Sequence, residues 1–374
     1  MSGTKAQAEP EVDRPQVYDV GIIGAGIVGL MVCHRIASRG RRLVVFEKNS
    51  APGLGVTQGQ SSVIHVVQLP FGSLKSKLAR DGNKQFDGIC ADLGVPLLRL
   101  PSLLVVRGWL RTPVLLGAYF YLKRNLGHDF RLELAGKGSL QRMEPKLSES
   151  ITAGIVVHGY GVVDWQRLVE RLAEDLARNG VAFEFNTEVD GADVSGERVH
   201  LHTSSGEFTC RFVVNAAGLY SDEVARKMGV DLGEHTPGLG AMAEFSDLPV
   251  RSIIAPLPIR PAKRTKGGAI IPTTRGTVIF GPTLRELEKK EGSSADEEDL
   301  RVLMKKFGPM LTAQGKLVRL FSGVRPISPT GDFIIEYAKA ARTVNLVGIE
   351  SPGLTASPAI ADLVLHKLEE AGLT

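Results

Sequence analysis

The sequence of 374 residues has few cysteines and no long apolar run. Cys33, Cys90 and Cys210 stand singly, without a C-x-x-C pair or a neighbouring histidine cluster. This pattern predicts reduced thiols in a cytoplasmic protein, and it argues against a disulfide framework or a bound metal. No stretch reaches the roughly 18 uninterrupted apolar residues that a membrane-spanning helix requires.

A strong overall charge of either sign is also lacking. The formal net charge of +4 is mild, and no dense basic run with interleaved aromatic residues occurs. Nucleic acid is therefore not an expected partner. Residues 1–15 are polar and contain no apolar core of a signal peptide, which predicts a disordered tail. The remaining length is enough for about two domains.

One glycine-rich stretch near the N-terminus carries the clearest pattern. Residues 18–23 are rich in apolar and β-branched side chains, as in a parallel strand that is buried on both faces. Gly24, Gly26 and Gly29 follow with the spacing G-x-G-x-x-G. The first glycine allows a tight turn, the second lets a pyrophosphate approach the backbone, and the third lets a helix pack close to the strand. The N–H groups at the start of that helix would face the phosphates.

An acidic residue completes this pattern. Residues 43–46 predict a second strand, and Glu47 stands at its carboxyl end, about 20 residues after Gly24. A carboxylate at that distance accepts hydrogen bonds from a ribose hydroxyl, and it would repel the extra phosphate of NADP. The stretch therefore predicts a Rossmann-like dinucleotide-binding unit.

Strands and helices continue along the chain. Residues 164–179 predict a strongly amphipathic helix with Asp164 as its N-cap. Residues 211–229 predict a buried strand followed by a helix. Residues 344–370 predict a strand, a loop rich in glycine and proline, and a final helix whose N-terminus can face an anion.

The segment from residue 97 to residue 128 is unusual in its charge. It contains no acid and five basic residues, which are Arg99, Arg107, Arg111, Lys123 and Arg124. Within it, residues 109–122 read WLRTPVLLGAYFYL and predict an apolar helix. Such a helix fits a membrane interface with anionic lipids, at the inner face of the cell membrane or against an anchor protein. It fits the core of a second domain equally well, and the sequence leaves both interpretations open.

Two polar residues stand in apolar surroundings. His65 lies in the run SSVIHVV, where a single histidine is more often a core residue than a functional one. Arg325 follows the apolar start of a predicted strand. An arginine among uncharged neighbours usually pairs with an anion of the protein or of a substrate.

Several motifs in a fixed order resemble one family. The motifs are GAGIVG with Glu47, SSVIH, FGSLKSKLARDGNKQFD, GVVDWQRLVERLAED, VVNAAGLYSDEVA, KGGAIIPTTRGTVIFGPT, SGVRPISPTGDFII and NLVGIESPGLTASPAIADLV. From residue 16 to its end, the chain resembles flavoproteins of the D-amino-acid-oxidase-like superfamily. The branch is the one that contains glycerol-3-phosphate dehydrogenases and oxidases and L-2-hydroxyglutarate dehydrogenase.

The resemblance implies an α/β fold with bound FAD. A Rossmann-like FAD-binding domain on a parallel sheet would be joined by a second α+β substrate domain built on an antiparallel sheet. The FAD-binding domain would be discontinuous and would contain residues 16–80, 155–225 and 320–374. The substrate domain would contain residues 81–154 and 226–319.

The resemblance also implies roles for particular residues. His65 would lie beside the flavin as a candidate base, and Lys266 and Arg325 would share the catalytic site and face the substrate. Ser351 would contact the substrate from the C-terminal loop at the flavin. The residues implied to contact FAD are Gly24, Gly26, Ile27, Val28, Gly29, Glu47, Lys48, Ser61, Ser62, Val189, Ala216, Gly218, Gly323, Arg325, Gly353, Leu354 and Thr355.

The activity that the resemblance implies is FAD-dependent oxidation of a CH–OH donor. Lys266 in its KG-x-x-x-x-PT setting favours sn-glycerol 3-phosphate, which would be oxidised to dihydroxyacetone phosphate by hydride transfer. The chain departs from the family where Gln60-Ser61-Ser62 replaces Asn-Ser-Gly and where Gln68-Leu69 replaces an aromatic pair.

Alternatives remain beside this activity. They are oxidation of L-2-hydroxyglutarate, amine oxidation of the glycine or sarcosine type, and a flavin-holding subunit without catalysis. The expected partners are a small anionic hydroxy substrate and a quinone or other electron acceptor.

Overall fold

The computed structural model describes residues 17–257 and 267–374. Its strands are β1 (Val17–Ile23), β2 (Leu43–Glu47), β3 (Val63–Ile64), β4 (Leu97–Arg107), β5 (Leu132–Gly136), β6 (Ile151–Val163), β7 (Ala182–Phe185), β8 (Val189–Ser195), β9 (Arg198–Thr203), β10 (Gly206–Asn215), β11 (Thr236–Ser246), β12 (Ile253–Pro256), β13 (Ala269–Pro272), β14 (Val278–Gly281), β15 (Arg285–Glu286), β16 (Lys316–Ile327), β17 (Ile334–Ala338) and β18 (Thr343–Val347).

Its helices are α1 (Ile27–Ala37), α2 (Leu74–Asn83), α3 (Phe86–Leu93), α4 (Thr112–Leu126), α5 (Lys137–Met143), α6 (Trp165–Arg178), α7 (Ser221–Lys227), α8 (Glu297–Phe307) and α9 (Gly353–Glu370). Short 3₁₀ helices occupy Val56–Gly59, Trp109–Arg111, Gly218–Tyr220 and Gly308–Met310.

The first sheet carries the dinucleotide-binding pattern. Its strands follow the order β17, β18, β10, β1, β2 and β7, with β8 and β9 attached through β10. The pairs β1–β2, β1–β10, β2–β7 and β10–β18 are parallel, whereas β17 runs antiparallel at the edge. The prediction of a strand, a turn, a helix and a second strand over residues 18–47 is confirmed by β1, α1 and β2.

Strand β2 shows why such strands contain consecutive apolar residues. Leu43 and Val45 belong to a core that includes side chains of α1, α6 and α9. Val44 and Phe46 point the other way, into a smaller core with side chains of β8, β9 and α7. Because successive side chains alternate between faces and both faces are covered, every position of the strand is apolar up to Glu47.

The second sheet is mostly antiparallel. Its strands follow the order β15, β11, β14, β13, β12, β4, β6 and β3, with β16 paired to β11 and β5 paired to β6. The pair β4–β12 is parallel. Side chains of α8 pack on one face of this sheet and side chains of α4 on the other. The mixed α/β fold with two sheets, the second mostly antiparallel, agrees with the prediction.

The sheets do not follow the predicted domain segments at every point. The predicted boundaries assign residues 155–163 and 320–327 to the FAD-binding domain, but β6 and β16 lie wholly in the second sheet. These are long strands whose ladders to β4 and β11 continue past those boundaries. A boundary inside either strand would divide one ladder between two units. The domain boundaries themselves remain a prediction.

Two predicted helices are present where the sequence placed them. In α6, the side chain of Asp164 accepts a hydrogen bond from the N–H of Arg167 at 3.1 Å, as expected of an N-cap. The apolar run 109–122 forms the 3₁₀ turn Trp109–Arg111 and most of α4. Leu115 and Leu122 of α4 are buried against the second sheet, so the inward side of this helix belongs to the core.

Candidate active site

A cavity of about 1030 Å³ lies between the carboxyl ends of the parallel strands and one face of the second sheet. Ile23 and Phe46 line it from the ends of β1 and β2, and Met242 and Ile253 line it from the second sheet. In open α/β sheets, ligands bind outside the carboxyl ends of the strands. The volume is at the top of the range for small-molecule sites, so an extended dinucleotide and a small substrate can share it.

The glycine turn meets this cavity at the start of α1. Gly24 has φ +103°, and a Cβ atom there would lie 2.5 Å from the carbonyl oxygen of Ala216. A Cβ atom at Gly29 would lie 2.0 Å from the carbonyl oxygen of Gly24. Gly26 is the N-cap of α1 and lines the cavity. Glycine at positions 24 and 29 is therefore required by packing, whereas Gly26 opens the helix N-terminus toward a ligand.

Glu47 is held at the same end of the cavity. Its Oε2 accepts a hydrogen bond from the N–H of Ala25 at 2.9 Å, and its Oε1 accepts one from the N–H of Asn49 at 3.0 Å. These bonds fix the carboxylate at the turn. Each carboxylate oxygen can accept more than one hydrogen bond, so Glu47 keeps acceptor capacity for a ribose hydroxyl. The turn and the acid therefore fit an adenine dinucleotide.

Most residues predicted to contact FAD line this cavity, and two do not. Gly29 packs against the turn at Gly24 instead, as the packing role of the third glycine requires. Ser62 has φ 65° in the turn before β3. The predicted residues that line the cavity are Gly24, Gly26, Ile27, Val28, Glu47, Lys48, Ser61, Val189, Ala216, Gly218, Gly323, Arg325, Gly353, Leu354 and Thr355.

A segment between β15 and α8 closes over the dinucleotide end. Lys290 donates to Asp222 and to Glu223, both at 2.6 Å. Its ammonium group also lies 5.3 Å from the ring centre of Tyr220, and the ammonium of Lys48 lies 3.6 Å from the same ring centre. Tyr220, Lys48 and Lys290 all line the cavity. The sequence did not indicate this closure, because ion pairs between distant surface segments leave no local pattern.

At the other end of the cavity, the backbone of His65 is fixed on both sides. Its N–H donates to Oγ1 of Thr355 at 3.0 Å. Its carbonyl accepts from the side-chain amide of Asn83 at 2.8 Å. Arg99 holds Asn83 in turn, donating to its Oδ1 at 3.1 Å and to its carbonyl at 3.0 Å. The ring of His65, 6.2 Å from that of Tyr160, is thereby directed at the cavity.

His65 is neutral at physiological pH. Enclosure by the protein lowers the pKa of its ring to about 4, and the positive charge of Arg325 acts in the same direction. A neutral imidazole has one nitrogen that can accept a proton. The arrangement therefore supplies a proton acceptor beside a cation, which is what oxidation of an anionic alcohol requires.

Arg325 extends from β16 over a small residue of the neighbouring strand. It pairs in register with Gly238 of β11, and its guanidinium reaches the position that a side chain at Gly240 would occupy. A Cβ atom at Gly240 would lie 2.7 Å from the Nη2 atom of Arg325. Burial lowers the pKa of the guanidinium, and the carboxylate of Glu350 raises it. An arginine stays protonated under such shifts, so a permanent positive charge lines the cavity.

A second cation, Lys75, also lines this end of the cavity. Its ammonium lies 3.7 Å from the carboxylate of Glu350 and donates to the carbonyl of Gly331 at 2.5 Å. Lys75 and Glu350 are both buried, with 6% and 5% of their surface exposed. Together with Arg325 they leave one positive charge in excess around the neutral His65. The sequence did not single out either residue, because Lys75 reads as an ordinary helix residue.

The structure therefore brings His65, Arg325 and Ser351 to the same cavity. Lys266, the remaining residue predicted for the catalytic site, lies outside the described residues. In the described ranges, no group of three or more His, Cys, Asp or Glu side chains is placed to hold a metal ion. Across those same ranges, no helix combines the length and apolar character needed to cross a bilayer.

Comparison with known proteins identifies the wider group. The family model described as FAD dependent oxidoreductase, DAO, matches residues 19–366. A glycerol 3-phosphate dehydrogenase from Caloramator mitchellensis is 28% identical over 362 residues, covering 94% of this chain and 74% of that protein. The mitochondrial L-2-hydroxyglutarate dehydrogenase of Arabidopsis thaliana is 28% identical over 414 residues, covering 93% of this chain and 83% of that protein.

Solved structures show the same fold. Dithionite-reduced L-α-glycerophosphate oxidase from Mycoplasma pneumoniae with FAD bound has a TM-score of 0.85 and 24% identity, and the likeness covers 95% of each chain. Glycine oxidase from Geobacillus kaustophilus has a TM-score of 0.82 and 21% identity, again over 95% of each chain. At these identities the likeness establishes the fold alone.

Proposed function

The chain belongs to the DAO family of FAD-dependent oxidoreductases, and we propose that it oxidises sn-glycerol 3-phosphate to dihydroxyacetone phosphate. The family match supports an FAD-dependent enzyme, and the substrate is the proposal. Support comes from the relative named glycerol 3-phosphate dehydrogenase, which matches 94% of this chain.

One observation carries the proposal. His65, Lys75 and Arg325 line the cavity that also meets the dinucleotide turn. A neutral proton acceptor and two cations are thus gathered where a substrate would meet the cofactor. An anionic substrate is attracted by the excess positive charge, and a forked guanidinium suits phosphate or carboxylate oxygens.

The residues divide the reaction between them. Arg325 would bind the phosphate and hold the secondary alcohol in position, which is a positioning effect. The His65 ring would accept the hydroxyl proton as the carbon–hydrogen bond breaks. Bound FAD, held at the glycine turn and Glu47, would supply the acceptor for the hydride. The role of Lys266 in the same site remains a sequence-based prediction. A quinone as the acceptor that reoxidises the enzyme also remains a prediction.

L-2-hydroxyglutarate is the second candidate substrate. The relative named L-2-hydroxyglutarate dehydrogenase matches 93% of this chain, and its named substrate is also an anionic secondary alcohol. Arg325 can fork onto a carboxylate as well as onto a phosphate. The cavity chemistry alone therefore favours an anionic hydroxy substrate over an uncharged one.

Anaerobic titration of the FAD-loaded protein separates these substrates. Glycerol 3-phosphate, L-2-hydroxyglutarate, glycine and sarcosine are added in turn, and the flavin absorbance is followed by stopped flow. We expect rapid bleaching by glycerol 3-phosphate and slow or no bleaching by the others. Faster bleaching by L-2-hydroxyglutarate would replace the proposed substrate. Bleaching by none of them would favour a flavin-holding subunit without catalysis.

A further inference from the structure

The outward side of α4 and the turn before it expose large apolar side chains. Trp109 is 75% exposed, Leu110 73% and Phe120 65%. We name this surface the apolar ridge, and it consists of Trp109, Leu110, Val114, Leu116, Phe120 and Tyr121. Leu110 and Val114 are four residues apart, as are Leu116 and Phe120, so the ridge contains two rows of apolar side chains along the outward side of the helix. Single exposed apolar residues are common, but a contiguous group marks an interaction site.

The apolar ridge is distinct from the side of α4 that packs in the core. The opposite side of α4 is already buried, with Leu115 2% and Leu126 1% exposed. The helix is therefore apolar on both sides, although only one side is buried. By contrast, the outward side of α6 carries ion pairs such as Arg171–Glu174 at 2.8 Å. A helix that is apolar all round is typical of burial on both sides.

The charges around the apolar ridge have one sign. Arg107, Arg111, Lys123 and Arg124 flank it, and none of them forms an ion pair with another residue that the structure describes. Burial lowers the pKa of Arg107, and the positive charge of Arg111 lowers it further.

The acids nearest in sequence do not neutralise these cations. Asp129 pairs with Lys84 at 2.7 Å. Glu133 pairs with Arg131 at 2.6 Å and with His158 at 3.0 Å. The surface around the ridge therefore keeps its positive charge.

We propose that the apolar ridge docks on the surface of an anionic lipid bilayer. Trp and Phe side chains next to Lys and Arg are the composition of a helix that lies in a membrane interface. The apolar side chains enter the headgroup boundary, while the cations face lipid phosphates. Docking of this kind needs no spanning helix.

Charge complementarity favours a bilayer over a second copy of the chain. A symmetric dimer through this surface would place the same patch on both partners. Arg111 and Arg124 of both copies would then lie in one interface without acids between them. An anionic bilayer supplies the opposite charge on every side of the ridge.

Docking would also orient the active site. Tyr121 belongs to the ridge and lines the cavity, and Leu69, which is 47% exposed, lines the cavity beside it. The rings of Tyr121 and Phe71 lie 5.5 Å apart, which holds the two segments together. The cavity therefore opens next to the proposed membrane surface.

Co-sedimentation of the FAD-loaded protein with vesicles tests the proposal. The probes are vesicles of phosphatidylcholine alone and of phosphatidylcholine with phosphatidylglycerol, at low and at physiological salt. We expect binding to the anionic vesicles and weaker binding as salt rises. The variant Trp109→Ser/Leu110→Ser/Phe120→Ser should bind at least about a hundredfold more weakly, because three apolar side chains no longer leave water.

A matched control has the same number of apolar-to-serine changes elsewhere. Val194, Leu317 and Val318 are 42%, 48% and 54% exposed and lie outside the cavity and the ridge. The variant Val194→Ser/Leu317→Ser/Val318→Ser should bind vesicles like the parent. Both triple variants should keep the FAD content of the parent, since none of these residues lines the cavity.

Two further measurements separate the contributions. The variant Arg111→Gln/Arg124→Gln should bind anionic vesicles about thirtyfold more weakly and with a smaller salt dependence, because each surface cation contributes about one kcal/mol. In a Trp165→Phe background, Trp109 is the remaining tryptophan. Its fluorescence should shift to the blue on anionic vesicles and be quenched by brominated lipid.

Three outcomes would overturn the proposal. The parent protein could stay in the supernatant with anionic vesicles at low salt. The ridge variant could bind as the control variant does. Ultracentrifugation could show a parent dimer that the ridge variant converts to a monomer, which would identify a second copy as the occupant. None of these outcomes depends on the proposed substrate.

Discussion

The two ends of the cavity are built in different ways. At the dinucleotide end, Glu47 accepts a hydrogen bond from Ala25, 22 residues earlier in the same strand–turn–strand unit. At the substrate end, His65 is held by Thr355, 290 residues later in the chain. Arg325 likewise depends on Gly240 of another strand for its position. The turn at the dinucleotide end, with its acid, is thus determined by local chain geometry, whereas the substrate end is determined by contacts between distant segments.

This difference predicts separable effects of substitution. Changes at the dinucleotide end should alter FAD retention and folding, because the turn is part of the first core. Changes at the substrate end should alter KM or the rate of flavin reduction while the FAD content stays constant. A variant that affects both kinds of property would show that the two ends are coupled.

The largest effect is expected from Gly29→Ala at the dinucleotide end. Its Cβ atom would lie 2.0 Å from the carbonyl oxygen of Gly24, so β1 and α1 must separate. Such overpacking costs about 3 kcal/mol of stability or more. The variant should purify without FAD and unfold at a lower temperature, as measured by absorbance and calorimetry.

Gly88→Ala is the control for Gly29→Ala. Gly88 lies in α3, is exposed, and has nothing near the position of an added Cβ atom. Alanine is favoured over glycine in a helix by about 1 kcal/mol, so this variant should keep FAD and be at least as stable as the parent. Retention of FAD and stability by Gly29→Ala would contradict the packing role of the third glycine.

The next effect is expected at the substrate end, from His65→Gln. The backbone bonds of residue 65 to Thr355 and Asn83 do not require the ring, so the fold and FAD content should not change. Loss of a general base should slow flavin reduction by about 10²–10⁴-fold. His158→Gln, which removes a surface partner of Glu133, should leave the rate unchanged. An unchanged rate in His65→Gln would remove His65 from its role as base.

A smaller change in binding is expected from Arg325→Met. Loss of a charged hydrogen-bonding partner costs about 1.5–3 kcal/mol, so KM for glycerol 3-phosphate should rise about 10–150-fold. Arg325→Lys keeps the positive charge but loses the planar guanidinium with its paired N–H donors, and should give an intermediate KM. Steady-state kinetics with FAD-saturated enzyme measures both, and equal KM values in all three proteins would exclude substrate contact by Arg325.

The same pair of variants tests the electrostatics of His65. A base must be neutral, so kcat/KM should fall as pH falls through its pKa, which lies at about 4 in the parent. Removing the positive charge in Arg325→Met removes one of the two causes of the lowered pKa. The pH at which kcat/KM falls on the acid side should therefore be higher in Arg325→Met and unchanged in Arg325→Lys. An unchanged acid side of the profile in both variants would show that enclosure alone sets the pKa of His65.

The sequence predicted the locally built part of the molecule well. The G-x-G-x-x-G turn, β1, β2 and the capped helix α6 all stand where the pattern placed them. Their determinants are turn geometry, alternation and helix periodicity, which depend on neighbouring residues. The predicted domain segments followed the strands less closely. A ladder such as β11–β16 depends on pairing between residues that are 70 to 91 positions apart in the chain.

The substrate end could be predicted only in part. His65 and Arg325 stood out as single polar residues in apolar runs, and the family resemblance supplied their roles. Lys75 and Glu350 were not found, because their pairing joins α2 to the loop before α9. Gly240 was also missed. A glycine in a strand gives no sign of which side chain occupies the space beside it.

Gly240→Ala is therefore the smallest structural change that tests the substrate end. Gly240 has an ordinary strand conformation, so alanine introduces no backbone strain, and only the Nη2 atom of Arg325 lies under 3 Å from the added Cβ. The guanidinium can shift, and a displaced positioning group weakens the alignment of the substrate. We expect KM for glycerol 3-phosphate to rise about tenfold, with parent FAD content and unfolding temperature.

The double variant Gly240→Ala/Arg325→Met identifies the cause of that rise. If alanine acts only by moving the guanidinium, it should change nothing once the guanidinium is gone, and KM should equal that of Arg325→Met alone. Residues in direct contact give non-additive free energies, whereas independent sites give sums. A further tenfold rise in the double variant would mean that Gly240 affects the substrate by another route. In that case the space beside Arg325 would not set the geometry of the substrate end.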